Sequence, residues 1–286
     1  MDKNKLFSEP WSDYELIDAG GGKKLERFGK FLLIRPEVQA YFKSATPFYE
    51  WRKMAHWEFV EAKGGSGKWK VLNDKAAKQW QIHYQKLRFQ LELTKFKHIG
   101  IFPEQRSNWD WISERLKSEN RFLNLFAYTG AASCVSRYIG AETVHVDSVK
   151  QVLSWAKHNM DLSKLLNIKW VHEDALKFAE RERKRGNKYN MLVMDPPAWG
   201  IGAKGEKWRL EDSIDQLIFT ASELLEENGH LLMNTYSPKV DNTLIKQIVE
   251  VYFPRSTHSL HALYIRSSAG NELYFGNVLR LSKESH

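Results

Sequence analysis

Apolar and polar positions change rhythm partway along this chain of 286 residues. Up to residue 98 the apolar positions fall in short runs. Tyr14-Glu15-Leu16-Ile17 and Phe31-Leu32-Leu33-Ile34 read as strands, separated by turn signals at Gly20-Gly21-Gly22, Gly29 and Pro36. Trp69 to Leu72 predicts another strand. Ile82 to Leu93 predicts a further one, alternating over Phe89, Leu91 and Leu93, and Lys63-Gly64-Gly65-Ser66-Gly67-Lys68 reads as a flexible hairpin tip. From residue 99 strands alternate with helices. Asn108 to Leu116 is helical, Phe122 to Phe126 a strand, the stretch holding Val135 and Ile139 a helix stopped by Gly140, and Thr143 to Asp147 a strand. Helical periodicity over Val149 to Leu162, Ala175 to Arg185, Ile214 to Leu225 (closed by Gly229) and Val240 to Tyr252 alternates with strands at Ile168 to Val171, Tyr189 to Met194 and His230 to Asn234. Two strands, His258 to Ile265 and Leu273 to Leu281, close the chain. The pattern predicts an α/β domain over 99–286, a mostly parallel sheet with helices on both faces, preceded by a small β-rich domain over 1–98.

The βαβ unit from Leu123 to Asp147 has a turn of small residues, Ala127-Tyr128-Thr129-Gly130-Ala131-Ala132, after its first strand and an acid at the tip of its second. Such a turn lets the backbone approach a nucleoside, and the carboxylate accepts hydrogen bonds from ribose hydroxyls. A dinucleotide site carries three glycines to wrap a pyrophosphate. Here Gly130 is the only glycine in the turn. An adenosine without phosphate needs less room, and S-adenosylmethionine is the common cofactor of that description. The competing reading is an ordinary α/β domain in which Gly130 makes a turn and Asp147 caps a helix.

Two further strand ends carry chemistry. Asp174 can accept the exocyclic amino group of an adenine while the Ala175 N–H bonds a ring nitrogen; equally, Asp174 can cap the next helix. Asp195-Pro196-Pro197-Ala198-Trp199-Gly200 is the strongest clue. Two prolines fix an extended path and remove two donors. Their carbonyls are then expected to be free for a substrate amino group, and Trp199 can stack on a planar base. In the stretch that follows, Gly202, Lys204, Gly205, Glu206, Lys207, Trp208 and Arg209 read either as a loop closing over an anionic substrate or as an exposed connection.

These motifs, Phe126-Ala127-Tyr128-Thr129-Gly130, Asp147, Glu173-Asp174 and Asp195-Pro196-Pro197, resemble those of class I S-adenosylmethionine-dependent methyltransferases with a Rossmann-like sheet. The chain is most similar to the family containing the bacterial large-subunit rRNA cytosine-C5 and guanine-N7 methyltransferases. Members have a segment like Gly100-Ile101-Phe102-Pro103-Glu104-Gln105-Arg106, which helps close the cofactor site. The resemblance covers residues 99–282. It implies a cofactor site formed by Gln105, Arg106, Phe126, Tyr128, Thr129 and Gly130 together with Asp147, Ser148, Asp174 and Ala175. It implies catalytic roles for Asp195, Pro196, Pro197 and Trp199. Residues 1–98 resemble the small β-rich domain preceding the catalytic domain in some members, and nothing resembles their PUA domain. One departure matters. Cytosine C5 methylation requires a thiolate to attack C6, and cytosine-directed members place that cysteine after the fifth strand. The matching Asn234-Thr235-Tyr236-Ser237-Pro238 has none, and Cys134 reads as a buried packing residue. The expectation is methylation of a base nitrogen, which needs alignment and desolvation rather than a nucleophile.

Composition changes the picture modestly. The net charge is +8; residues 1–115 carry 21 Lys and Arg against 15 Asp and Glu, residues 116–286 carry 22 against 20. This favours a polyanionic partner, and the expected partner is rRNA. Lys23-Lys24-Leu25-Glu26-Arg27, Lys68 and Lys70 are candidates for phosphate contact or for a solvated face. Seven of the eleven tryptophans, Trp11, Trp51, Trp57, Trp69, Trp80, Trp109 and Trp111, fall within residues 1–115, where core packing competes with base stacking. The single cysteine excludes an internal disulfide, and histidine spacing suggests no metal. A polar Met1 to Pro10 and the lack of a long apolar run predict a cytoplasmic protein without membrane contact, a monomer or a homodimer. A protein or small-molecule methyltransferase, or an inactive nucleotide-binding protein, remains an alternative.

Overall fold

The computed structural model describes residues 4–62, 65–73, 77–201 and 207–284. Lys63 and Gly64 of the expected hairpin tip, and Gly202, Lys204, Gly205 and Glu206, lie outside the described residues. The chain divides into two compact units. One comprises Leu6–Ser107 and Leu263–Phe275, the other Met1–Lys5, Asn108–Ala262 and Gly276–His286.

The N-terminal part begins with β1 (Lys5–Phe7), β2 (Tyr14–Gly20), β3 (Lys23–Phe28) and β4 (Phe31–Pro36). Helix α1 (Phe48–Met54) leads to β5 (Trp57–Glu61) and β6 (Gly67–Val71), and a separate hairpin is formed by β7 (Gln79–Tyr84) and β8 (Leu87–Glu92). Strands β2 to β6 form one sheet in sequence order. The single strand expected over Ile82 to Leu93 is two strands, because Gln85 turns the chain in a left-handed conformation (φ 53°). The charged run at Lys23 is strand β3, and its charges are structural. Glu26 is fully buried, where it accepts from Arg35 Nε (2.7 Å), Arg35 Nη2 (2.9 Å) and Tyr14 Oη (3.1 Å). Lys24 is buried between Glu26 (3.6 Å) and Glu37 (3.4 Å), and Lys23 pairs with Glu58 at 2.7 Å. Burial works to raise the Glu26 pKa, yet Arg35 and Lys24 outweigh it and hold the carboxyl below its usual range. Lys23 and Lys24 are thus not free phosphate contacts; Lys68 and Lys70 are exposed. Trp51, Trp57 and Trp80 are buried, so packing rather than stacking accounts for them.

The second part runs α2 (Arg106–Arg115), β9 (Arg121–Leu125), α3 (Ala131–Ile139), β10 (Glu142–Asp147), α4 (Lys150–Leu162), β11 (Ile168–His172), α5 (Ala175–Lys184) and β12 (Tyr189–Met194). It continues through a short ribbon, β13 (Trp199–Ile201) and β14 (Lys207–Arg209), then α6 (Leu210–Leu224), β15 (Leu225–Thr235), α7 (Asn242–Tyr252), β16 (Ser256–Arg266) and β17 (Glu272–Lys283). The large sheet has the order β1-β16-β17-β15-β12-β9-β10-β11. Strands β11, β10, β9, β12 and β15 are parallel, and β17 is antiparallel to β15. Leu123, Leu125, Val144, Val146, Leu192, Met194, Leu231 and Met233 pack with Phe178, Ile214, Leu217, Ile245 and Val249 of α5, α6 and α7. The intervening positions of β9 and β10 face α3, as the Asn124–Ser133 (2.9 Å) and Ser136–Thr143 (2.9 Å) bonds show. Gly229 does not close α6. It sits in the irregular start of β15, where pairing with β12 shifts between Leu225 and His230, and a Cβ there would come within 2.8 Å of the Glu226 carbonyl. No helix among the described residues is long and apolar enough to cross a membrane.

Candidate active site

Chain order reverses in the sheet between β9 and β12, and ligands of such sheets bind outside the carboxyl ends of the strands at that crevice. Here the ends lie side by side. Ala127 N donates to Val146 O (3.1 Å), Glu173 N to Asp147 O (3.2 Å) and Asp195 N to Leu125 O (3.4 Å).

The turn after β9 is conformationally unusual. Phe126 (φ 57°), Tyr128 (φ 51°) and Gly130 (φ 85°) are all left-handed. Two of the three are bulky, so the turn carries backbone strain of the kind that collects at ligand sites. At Gly130 a Cβ would lie 3.1 Å from Ala156 Cβ and 3.4 Å from His145 Cε1, so close packing adds to the conformational demand. A buried polar network underpins the turn. Asn124 Nδ2 donates to Ser133 Oγ, which lies 3.0 Å from His145 Nδ1, and Asn159 Nδ2 donates to the Thr129 carbonyl at 2.9 Å. Burial pushes His145 down to about 3, so the network is uncharged near neutral pH.

Asp147 completes the turn. Its Oδ2 accepts Tyr128 N (2.9 Å) and its Oδ1 accepts Val149 N (2.9 Å). A carboxylate offers about four lone-pair sites, which leaves room for hydroxyl donors. Burial raises its pKa. Ser148 is exposed, with its carbonyl 3.1 Å from His172 Nε2. Asp174 caps α5, its Oδ1 accepting Lys177 N at 2.9 Å, and Ala175 behind it is buried. Glu173 is held in a two-point ion pair by Arg181.

After β12, Pro196 is buried and Pro197 exposed. The Pro197 carbonyl already accepts Trp208 Nε1 at 2.7 Å, a pairing that only the ribbon fold creates. Trp208 also packs on Phe126, with ring centroids 5.3 Å apart at 51°. Trp199 pairs with Arg209 across the ribbon, and Ile201 with Lys207, whereas Trp208 pairs with Gly200. Trp199 and Trp208 therefore project from opposite faces, and Trp199 is 60% exposed. Sequence reasoning placed Trp208 in a basic, aromatic stretch but missed its bridging position, since ribbon register is not visible in composition.

Gln105 and Arg106 lie in the N-terminal unit. Gln105 is buried at the end of the short turn Pro103–Gln105, and Arg106 Nη1 donates to the carbonyls of Glu9 (2.7 Å) and Pro10 (2.5 Å). Cys134 is fully buried and its thiol is pushed up to about 12 by that burial, so no thiolate forms near neutral pH. At the end of β15, Asn234 is buried and accepts Asn108 Nδ2 at 3.0 Å.

A parallel sheet of this order, with a strained turn after β9, an acid ending β10 and Asp-Pro-Pro ending β12, defines a class I nucleoside-binding methyltransferase fold. Residues 62–265 match the family described as S-adenosylmethionine-dependent methyltransferase, and the chain belongs to that family. A crystal structure of the S-adenosylmethionine-dependent methyltransferase from Agrobacterium tumefaciens is similar over 100% of this chain and 97% of its own, with 30% identity and a TM-score of 0.89. The ribosomal RNA large subunit methyltransferase K/L of Hahella chejuensis is 33% identical over 169 residues, which are 56% of this chain and 22% of that protein. The ribosomal RNA large subunit methyltransferase I of Tolumonas auensis is 34% identical over 160 residues, 52% of this chain and 38% of that protein. The matched regions thus span about a fifth to two fifths of these curated relatives.

The residues present fit the family's cofactor. The turn 126–130 has one glycine, Gly130, where a pyrophosphate-wrapping turn carries three, and a carboxylate such as Asp147 has more lone pairs than the two backbone N–H groups it accepts.

Proposed function

We propose that this protein methylates a base nitrogen in ribosomal RNA, with S-adenosylmethionine as methyl donor and no covalent enzyme intermediate. The observation that carries this reading is the Asp195-Pro196-Pro197 segment. It ends β12 directly beside the β9 turn, with the nearest cysteine buried and protonated. The bound cofactor supplies an activated methyl group. The Phe126–Gly130 turn approaches the nucleoside with its backbone, Asp147 accepts the ribose hydroxyls, and Asp174 and Ala175 meet the adenine edge. Asp195 and the Pro196 carbonyl accept hydrogen bonds from the acceptor nitrogen and aim its lone pair, while the Pro197 carbonyl is set by Trp208. Trp199 stacks on the base. Such stacking contributes about 1–3 kcal/mol per base, which offsets part of the few kcal/mol that extruding a paired base costs. Trp199 shares its ribbon face with Lys207 and Arg209, both exposed, so an aromatic surface is flanked by cations suited to a phosphate backbone. Names of the two rRNA methyltransferases above support an RNA substrate. Residues 1–98 serve as a substrate-binding domain and 99–286 as the catalytic domain, working in the cytoplasm.

The test is mass spectrometry of modified nucleosides in ribosomal RNA from a deletion strain, with complementation by wild type and by Asp195→Ala. One methylated nucleoside should vanish, return with wild type and stay absent with the variant. An unchanged RNA methylation profile would direct the search to protein or small-molecule acceptors.

A further inference from the structure

Trp208 falls, in sequence, within a stretch read as a closing loop or an exposed connection; in the structure it is neither. It is half-buried on the ribbon face opposite Trp199. Its indole N–H is bonded to the Pro197 carbonyl at 2.7 Å, and its ring lies 5.3 Å from that of Phe126. The 51° tilt falls within the geometry aromatic pairs prefer. Phe126 is the first left-handed residue of the turn, and a bulky residue keeps that conformation only where its surroundings impose it. One side chain thus holds both the turn after β9 and the segment after β12, through two chemically separable contacts.

We infer that Trp208 is a positioning residue that couples the cofactor turn to the acceptor-binding segment, so that ordering one orders the other. This rests on reading those segments as cofactor and acceptor sites. The ring contact shapes the cofactor side, and the N–H bond fixes the direction of the Asp-Pro-Pro path. Coupling of this kind makes occupancy of one site favour the competent form of the other.

Hydrogen exchange and calorimetry with S-adenosylhomocysteine test it without a methyl acceptor. In wild type, the ligand should slow exchange at the amides of Phe126 to Gly130 and also at Asp195, Ala198, Trp199 and Gly200. Trp208→Phe keeps a ring and loses the N–H. It should bind S-adenosylhomocysteine within about twofold of wild type, since the ring contact remains, yet lose ligand-induced protection at 195–200. Trp208→Ala loses both contacts and should weaken binding about fivefold, the scale of one lost neutral interaction. Thermal melting confirms folding, and Trp208→Phe carries the test if the alanine variant unfolds. Protection at 195–200 that persists in Trp208→Phe, or is absent from ligand-bound wild type, would overturn the inference. Failure of wild type to bind S-adenosylhomocysteine would instead overturn the cofactor reading beneath it.

Discussion

At the scale of residues, three side chains make distinct demands. Asp147 is an acceptor whose two oxygens each already take one backbone N–H. Asp147→Ala should weaken S-adenosylhomocysteine binding by about 1.5–3 kcal/mol, the value of hydrogen bonds to a charged group; calorimetry showing NAD binding in its place would refute the assignment. Because burial raises the Asp147 pKa, the ionised acceptor is lost sooner on acidification, and affinity should fall as pH drops through that raised value. Cys134→Ser should retain methyl transfer, because the thiol stays protonated and buried; loss of activity in a folded, cofactor-binding variant would contradict nitrogen-directed chemistry. Glu104 is buried, and desolvation raises its carboxyl from 4.5 to about 7. Its proton is held in the folded state while the unfolded chain releases it above 4.5, so stability from this group is full below 4.5 and lost as pH rises to about 7. Glu104→Gln should therefore gain about 3 kcal/mol over wild type at pH 8 and nothing at pH 4, measured by denaturant unfolding across pH.

Elements show how local sequence and tertiary context divide the work. β3 is too charged to be read as a buried strand from Lys23-Lys24-Leu25-Glu26-Arg27, yet Lys24 and Glu26 are buried because Arg35, on β4, neutralises Glu26, while Glu26 and Glu37 neutralise Lys24. Removing one partner leaves uncompensated buried charge, so Glu26→Ala should destabilise by about 3–5 kcal/mol in denaturant titration. A cost below ~1 kcal/mol would mean that Lys24 and Arg35 find solvent instead. The pattern over Ile82 to Leu93 predicts one strand because the chain reverses at Gln85, a residue type that gives no turn signal; the reversal shows only as a change of phase, from Ile82 and Tyr84 to Leu87, Phe89 and Leu91. Helix α5, by contrast, begins where Asp174 said it would, since a cap is a local contact.

At the scale of the whole molecule, the net charge of +8 is less telling than its disposition. Lys23 and Lys24 are spent on ion pairs, whereas Lys207 and Arg209 are exposed beside Trp199. RNA affinity should decline with salt, and Lys207→Ala with Arg209→Ala should lessen the slope of log K against log salt by about 1.4 to 1.8, the release expected from two contacts. Filter binding at several salt concentrations measures it; an unchanged slope would place the RNA elsewhere.

The sequence alone determined the alternation of strands and helices, the turn at Gly130, the acids at Asp147 and Asp195, and the absence of a cysteine after the fifth strand. Each is local: periodicity, a turn residue and a strand-end side chain depend on neighbours a few positions away. Tertiary structure decided which charges are buried partners, which tryptophan faces Phe126, that Pro197 already has a donor, and that Gly229 belongs to a strand. Those outcomes depend on register and on residues 9 to 11 or more positions apart, as with Glu26 and Arg35 or Pro197 and Trp208. Pairings of that kind follow from how strands align in space, which no pattern along the chain records.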